Sequence, residues 1–288
     1  MLFLLRKVPS LSITIASPPS YSASLSRLKN MASINNSNGS SSKLAVLAQQ
    51  LRLYKPPPGD ADDDDEVASQ VGFAESASRI SNQASERFRP KRAAVLICLF
   101  EGNNDGSGDG LRVILTKRSS TLSTHSGEVS LPGGKAEEDD VDDAYTAKRE
   151  ANEEIGLDPS LVNVVAILEP FLSKHLLRVI PVIGILSDRS AFNPTPNVDE
   201  VDDVFDAPLE MFLKDENRRS EEREWMGDTY LIHYFNYEIN GKSYLIWGLT
   251  AGILIRAASI VYKRSPAFLE QNPKFKVPGV VNNDTIMP

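Results

Sequence analysis

The sequence predicts an α/β fold in which a mixed β-sheet is packed between helices, and three observations carry that reading. Short apolar, β-branched runs recur between residues 95 and 247, helical stretches are interleaved with them, and one Asn-Gly pair separates two of the runs. With 288 residues, 41% hydrophobic and 24% charged, the chain has material for one ordinary domain plus extra terminal sequence.

In chain order, Leu44, Leu47 and Leu51 recur at helical spacing within Lys43 to Tyr54, and Pro56-Pro57-Pro58-Gly59 stops the short helix they predict. The run Asp60-Ala61-Asp62-Asp63-Asp64-Asp65-Glu66 reads as solvated linker, because metal-binding loops space their acids and insert glycine. Val95 to Phe100 and Leu111 to Thr116 read as strands. The glycine-rich stretch 102–110 between them is expected to be a long hairpin loop, since it lacks the Gly-Lys-Ser/Thr ending and the following helix of a phosphate loop. Cys98, the single cysteine, lies in the first strand, so no intrachain disulfide forms.

Asp139, Asp140, Asp142 and Asp143 precede a helix expected over Ala144 to Ile155, where acids suit the positive end of the helix dipole. Gly156 fits the left-handed position just past its end. Runs 163–172 and 176–187 read as strands on either side of Ser173-Lys174-His175, and Pro208 to Lys214 as a short helix. Tyr230 to Ile239 and Lys242 to Trp247 form a hairpin across Asn240-Gly241. Gly248 to Ile260 closes as a helix, too short and too interrupted by Arg256 to span a bilayer. Trp247 and Phe235 are expected in the core.

Net charge is -8, which argues against nucleic-acid binding, because such proteins gather a basic excess. The charge is uneven. Residues 1–59 contain no Asp or Glu but carry Arg6, Lys7, Arg27, Lys29, Lys43, Arg52 and Lys55. With its serines and small apolar residues, segment 1–30 reads as a transit peptide for the mitochondrion; a plastid leader, a disordered tail, or a cytosolic product starting at Met31 are the alternatives. Pro9, Pro18 and Pro19 interrupt its apolar stretches, so no membrane span is expected. A Ser/Pro/Asp-rich linker with one short helix is expected over 31–88, the folded domain over 89–278 and a tail over 279–288. Oligomeric state is not legible.

The candidate site begins with Glu150, Glu153 and Glu154. At i, i+3 and i+4 these carboxylates share one helix face and repel unless a hard divalent cation sits among them. Glu153 and Glu154 also lie at the negative end of the helix dipole, a breach of the local rule that a function would explain. The bland alternative is a solvated acidic face. Glu200 is a weaker candidate for a distant acid or base, and His125 and His175 are more readily surface or structural residues.

Around the glutamates, Arg149-Glu150-Ala151-Asn152-Glu153-Glu154-Ile155-Gly156-Leu157 resembles the second half of the box of the Nudix hydrolases. That box reads Gly, five residues, Glu, seven residues, Arg-Glu, apolar, any, Glu-Glu, any, Gly, apolar. Between Gly134 and Arg149 there is one residue more than the box allows, and its first Glu, counted back from Arg149, falls on Val141 beside Asp140. Ile114-Leu115-Thr116-Lys117-Arg118-Ser119, then Gly127 to Gly134, resembles the extra motif of the coenzyme A pyrophosphatase branch, with Ser123 in place of Arg and Leu131 in place of Phe. From Arg89 to about Pro278 the order of elements is similar to that branch, close to plant mitochondrial coenzyme A diphosphatases.

This resemblance implies an α/β/α sandwich. It implies Mg²⁺ or Mn²⁺ held by Glu150, Glu153 and Glu154, catalytic roles for Glu150 and Glu153, and an Arg149 that ties helix to loop. It also implies substrate contacts from Lys117, Arg118, Gly133, Gly134 and Lys135. The implied reaction hydrolyses the pyrophosphate of coenzyme A or its thioesters to 4′-phosphopantetheine, or its acyl form, and adenosine 3′,5′-bisphosphate. Other nucleoside diphosphate derivatives, such as NADH or ADP-ribose, are the alternative substrates. A non-catalytic binding module is the alternative of another class, suggested by Val141.

Overall fold

The computed structural model describes residues 39–56, 91–102, 110–173, 177–225 and 228–271. The expected leader, the acidic run 60–66, the centre of loop 102–110, His175 and the tail 279–288 lie outside them.

β1 (Arg92–Glu101) organises the main sheet, with both faces buried along most of its length. On one edge it pairs antiparallel with β2 (Leu111–Arg118) and β4 (Gly133–Lys135); on the other it runs parallel to β7 (Arg178–Leu186). The parallel pair makes the sheet mixed and demands a long crossover, within which lies helix α2 (Asp143–Ile155). β2 also pairs with β3 (Val129–Ser130) and β8 (Val201–Pro208), and β7 with β5 (Val162–Ile167) and β6 (Phe171–Leu172).

Alternation along β1 separates the two cores. Ala94, Leu96, Cys98 and Phe100 meet Ala147, Ala151 and Ile155 of α2, while Ala93, Ile97 and Leu99 belong to the larger cluster with helices α1 (Gly39–Arg52) and α3 (Gly248–Tyr262). The architecture is therefore the expected α/β/α sandwich. Among the described residues no helix is long and apolar enough to cross a membrane.

α1 corrects one expectation. Read from sequence as a helix within linker 31–88, it instead contributes to the core: Leu51 is 1% exposed, and Gln50 Nε2 donates to Val261 O at 3.3 Å. Just beyond it, Tyr54 donates to the buried Glu169, which also receives Arg256 of α3. The helix docks because its leucine stripe joins the large apolar cluster to which α3 also contributes, which local sequence does not display.

A second, antiparallel sheet has the order β11-β10-β9, from β9 (Arg218–Trp225), β10 (Asp228–Ile239) and β11 (Lys242–Trp247). Asn240 and Gly241, both at positive φ, make the expected β10–β11 turn. Phe235 and Ile246, each 0% exposed, face the main core, and Tyr244 stacks on Phe205 of β8 while donating to Asp203. β8 and β9 have no counterpart among the sequence expectations, because their charged residues mask any apolar alternation. The helix expected over Pro208 to Lys214 is a 3-10 turn, Leu209–Leu213.

Candidate active site

α2 is fixed at both ends. Asp142 caps it, accepting from Tyr145 N at 2.7 Å. At the C-terminus Gly156 sits at φ 70, and its N–H turns back to the carbonyls of Ala151 and Asn152. The last carbonyls are met from another loop: Asn197 N donates to Glu154 O at 2.9 Å and Thr195 N to Ile155 O at 3.0 Å. This approach is so close that a Cβ on Gly156 would lie 1.8 Å from Thr195 Oγ1.

The strand-loop Leu131 to Lys135 runs directly beneath the helix carboxylates. Pro132 O accepts from Leu96 N at 2.7 Å, and a Cβ on Gly133, at φ 148, would meet Ala94 O at 2.3 Å. Only glycine fits there. Gly133 N donates to Glu154 Oε2 at 3.1 Å. A Cβ on Gly134 would fall 2.3 Å from Glu150 Oε2, so this backbone is in contact with the second carboxylate.

Arg149 joins helix, loop and carboxylates. Its Nε and Nη2 grip Asp140 at 2.9 and 3.0 Å, and Nη2 also reaches Lys135 O at 3.1 Å and Glu150 Oε1 at 3.0 Å. Nη1 holds Glu153 at 2.9 Å. The Arg149 hydrogen bonds, reinforced by Glu137 N and Thr146 Oγ1, hold the Asp140 carboxyl well below the usual carboxylate range. Asp140 is the residue the sequence reading misplaced. Counting back from Arg149 gave Val141, yet Val141 is 80% exposed, whereas the Asp140 side chain is 3% exposed. Leaving five residues after Gly134, as the box does, lands on Asp140, so the extra residue lies between Asp140 and Arg149.

The two inner glutamates differ from the outer one. Burial, then the charges of Glu150 and Glu200, push Glu154 up to about 8, against the pull of Gly133 N–H and Arg118. Glu150 is also raised, chiefly by burial, with Arg149 opposing and Glu153 and Glu200 adding to the rise. Glu153 is turned outward, its side chain 53% exposed. Three glutamates on one face was the expectation; among the described residues no three acidic, histidine or cysteine side chains converge as a ready-made cage. The reason is Arg149, which draws Glu150 and Glu153 toward itself. The donor set still suits a hard cation: the buried Glu154 and the half-buried Glu150 are neighbouring carboxylates, with Glu200 in electrostatic reach.

Of the remaining candidates, Arg118 shares the α2 side of the sheet. It pairs with Val201, lowers the proton affinity of Glu154, and its buried Nε has no hydrogen-bond partner among the described residues. Lys117, one residue earlier, points to the opposite face, where its cross-strand partner Asp203 binds Lys242 and Tyr244 of the second sheet. The pleat therefore separates two cations that the sequence reading grouped. Lys135 is exposed and offers its carbonyl, not its ammonium, to Arg149. Glu200, also exposed, is held by its backbone, with Ser119 N donating to its carbonyl at 2.8 Å. His125 is exposed and pairs with Glu128 at 2.9 Å. Trp247 stacks on Tyr234, its cross-strand partner in the second sheet.

The family model described as the NUDIX domain matches residues 90–228. Nudix hydrolase 15, mitochondrial, of Arabidopsis thaliana is 76% identical over 212 residues, covering 74% of this chain and 73% of that protein. Nudix hydrolase 22, chloroplastic, of the same plant is 65% identical over 250 residues, covering 83% and 80%. The peroxisomal coenzyme A diphosphatase NUDT7 of Mus musculus is 35% identical over 206 residues, covering 71% and 82%.

Proposed function

The chain belongs to the Nudix hydrolase family, and from that premise we propose that it cleaves the pyrophosphate of coenzyme A or its thioesters with Mg²⁺ or Mn²⁺. The observation that carries the substrate is Arg118. It lies in the segment that resembles the coenzyme A motif, on the carboxylate face, with a buried Nε that no described residue satisfies. An arginine so placed is suited to a pyrophosphate oxygen. The mouse relative named a coenzyme A diphosphatase supports the same substrate.

Glu150 and Glu154 would hold the metal, and a bound dication would favour the ionised form that burial, joined by neighbouring carboxylates, disfavours at both. When bound, the metal supplies electrophilic stabilisation of the phosphate oxygens and a place for the attacking water. Gly133 N–H fixes the Glu154 carboxylate through one of its oxygens, which would orient it toward a bound cation. Arg149 is a positioning residue: its bonds to Asp140 and Lys135 O lock helix to loop and set the carboxylate of Glu150. One of the two exposed acids of the site, Glu153 or Glu200, would take the proton from water. Negative charge that builds on the leaving phosphate oxygen would be met by Arg118, while Lys117 has no part.

Val141 no longer motivates a non-catalytic module, since Asp140 fills its role. Product identification after Mg²⁺-dependent turnover tests the proposal. Adenosine 3′,5′-bisphosphate and 4′-phosphopantetheine from coenzyme A are expected; NADH or ADP-ribose turned over far better than coenzyme A would overturn the substrate. The names of the plant relatives support an organellar location. A fluorescent fusion of residues 1–31 is expected to enter mitochondria, with plastid entry or a cytosolic signal as the contrary results.

A further inference from the structure

We infer that the β9 edge of the second sheet is a homodimer interface, in which β9 pairs antiparallel with β9 of a second copy about a two-fold axis at Ser220. β9 ends its sheet: β10 covers one side, and among the described residues no strand pairs with the other. Eight residues of regular register, without proline or bulge, leave that edge as an open template for another strand.

The backbone groups that face outward can be identified. Asn217 O accepts from Asn236 N at 2.9 Å, so the N–H of Arg218, on the far side of the same peptide plane, points away from β10. By strand alternation the N–H and C=O groups of Arg218, Ser220 and Glu222 line the open edge. Two copies brought together at Ser220 then form hydrogen-bonded pairs at Ser220 with Ser220 and at Arg218 with Glu222.

The side chains select the partner. Around Ser220 the sequence is antisymmetric in charge, Arg218-Arg219-Ser220-Glu221-Glu222. A two-fold antiparallel pair about Ser220 sets Arg218 opposite Glu222 and Arg219 opposite Glu221 on both sides of the axis, so every arginine faces a glutamate of the other copy. Charged residues ordinarily guard an edge strand by repelling a second copy. Here the order of signs makes the second copy the complementary one, and moving the axis by one residue to Glu221 sets Glu221 against Glu221 and Arg219 against Arg223. Arg219, Ser220 and Glu222 are exposed and Glu221 is half-buried, while Arg218, bonded to Asp215 and His233 and lying over the ring of Phe268, would meet Glu222 from a fixed position. Arg219 and Glu221 already contact each other within the chain, so association exchanges and extends that pairing rather than burying a lone charge. Arg219 also lies over the ring of Tyr234, which stacks on Trp247, so the aromatic layer beneath the charges continues across the axis.

Sedimentation equilibrium of the full chain tests the inference, alongside Glu221→Arg/Glu222→Arg, which makes the segment all basic, Ser220→Pro, which removes the central donor, and Arg218→Glu/Arg219→Glu, which makes it all acidic. The wild type is expected to give twice the monomer mass at tens of micromolar, and to dissociate on dilution or in high salt. Each variant alone is expected to be monomeric at the same concentration with unchanged hydrolysis and circular dichroism, and an equimolar mixture of the all-basic and all-acidic variants to recover the dimer. A monomeric wild type, variants that remain dimeric, or a mixture that fails to associate while both variants keep wild-type folding would each overturn it.

Discussion

Replacing Glu154 by Gln isolates the buried carboxylate at the centre of the site. Gln keeps an oxygen for Gly133 N but removes the charge, so turnover of coenzyme A is expected to fall at least ~10²-fold, roughly 2.7 kcal/mol of barrier. Stability should respond in the opposite sense. In metal-free wild type the Glu154 carboxyl is raised from 4.5 to about 8 by burial. Between those values the unfolded chain is ionised and the folded chain is protonated, so this contribution to stability is complete below the unfolded value and is lost as pH rises toward 8. From pH 6 to pH 8 the loss is on the order of 2 kcal/mol, which for a domain of this size shifts the midpoint by about 5 °C. Thermal unfolding in EDTA at the two pH values is the assay, with Glu154→Gln showing a flatter dependence than wild type. Added Mg²⁺ should stabilise the wild type most at the higher pH, where the carboxylate is already ionised. A variant retaining activity within a few fold, or equal pH slopes in the two proteins, would refute the assignment of Glu154 as a buried, metal-holding carboxylate.

Three further perturbations probe the scaffold. Arg149→Lys cannot bridge Asp140, Lys135 O and both glutamates, so kcat should fall ~10-fold or more, and a lowered Tm would show the helix-to-loop tie loosened. Gly156→Ala forces a side chain onto a left-handed position and against Thr195; a loss of about 2 kcal/mol or more by denaturant unfolding is expected, and a neutral result would contradict that close approach. Leu51→Ala should destabilise by ~2–4 kcal/mol if α1 is part of the core, whereas a freely solvated linker helix would show no change in midpoint.

The local chemistry of the site was legible in the sequence. Helical periodicity placed Glu150, Glu153 and Glu154 on α2, Gly156 stopped it where a left-handed residue was required, and Asn240-Gly241 turned the hairpin. Charge spacing by itself left a cation site and a solvated acidic face both open, and the motif residues around it indicated the family. These are short-range properties, determined by i, i+3 and i+4 geometry and by the backbone freedom of glycine.

Tertiary structure decided what lies between segments. Asp140, one acid in a run of four, became the partner of Arg149 only when the loop folded under α2. Arg118 and Lys117, alike in sequence, were divided by the pleat of β2 between the catalytic face and the second sheet. α1 joined the core because its leucines meet an apolar cluster that includes segments more than two hundred residues away. β8 and β9 became strands by pairing, against their own polar composition, since a sheet is stabilised by the partner across it as much as by the residues along it. By itself the sequence determined which groups are present and which helix bears them; the long-range contacts decided which are buried, which are paired and which remain free to meet a substrate.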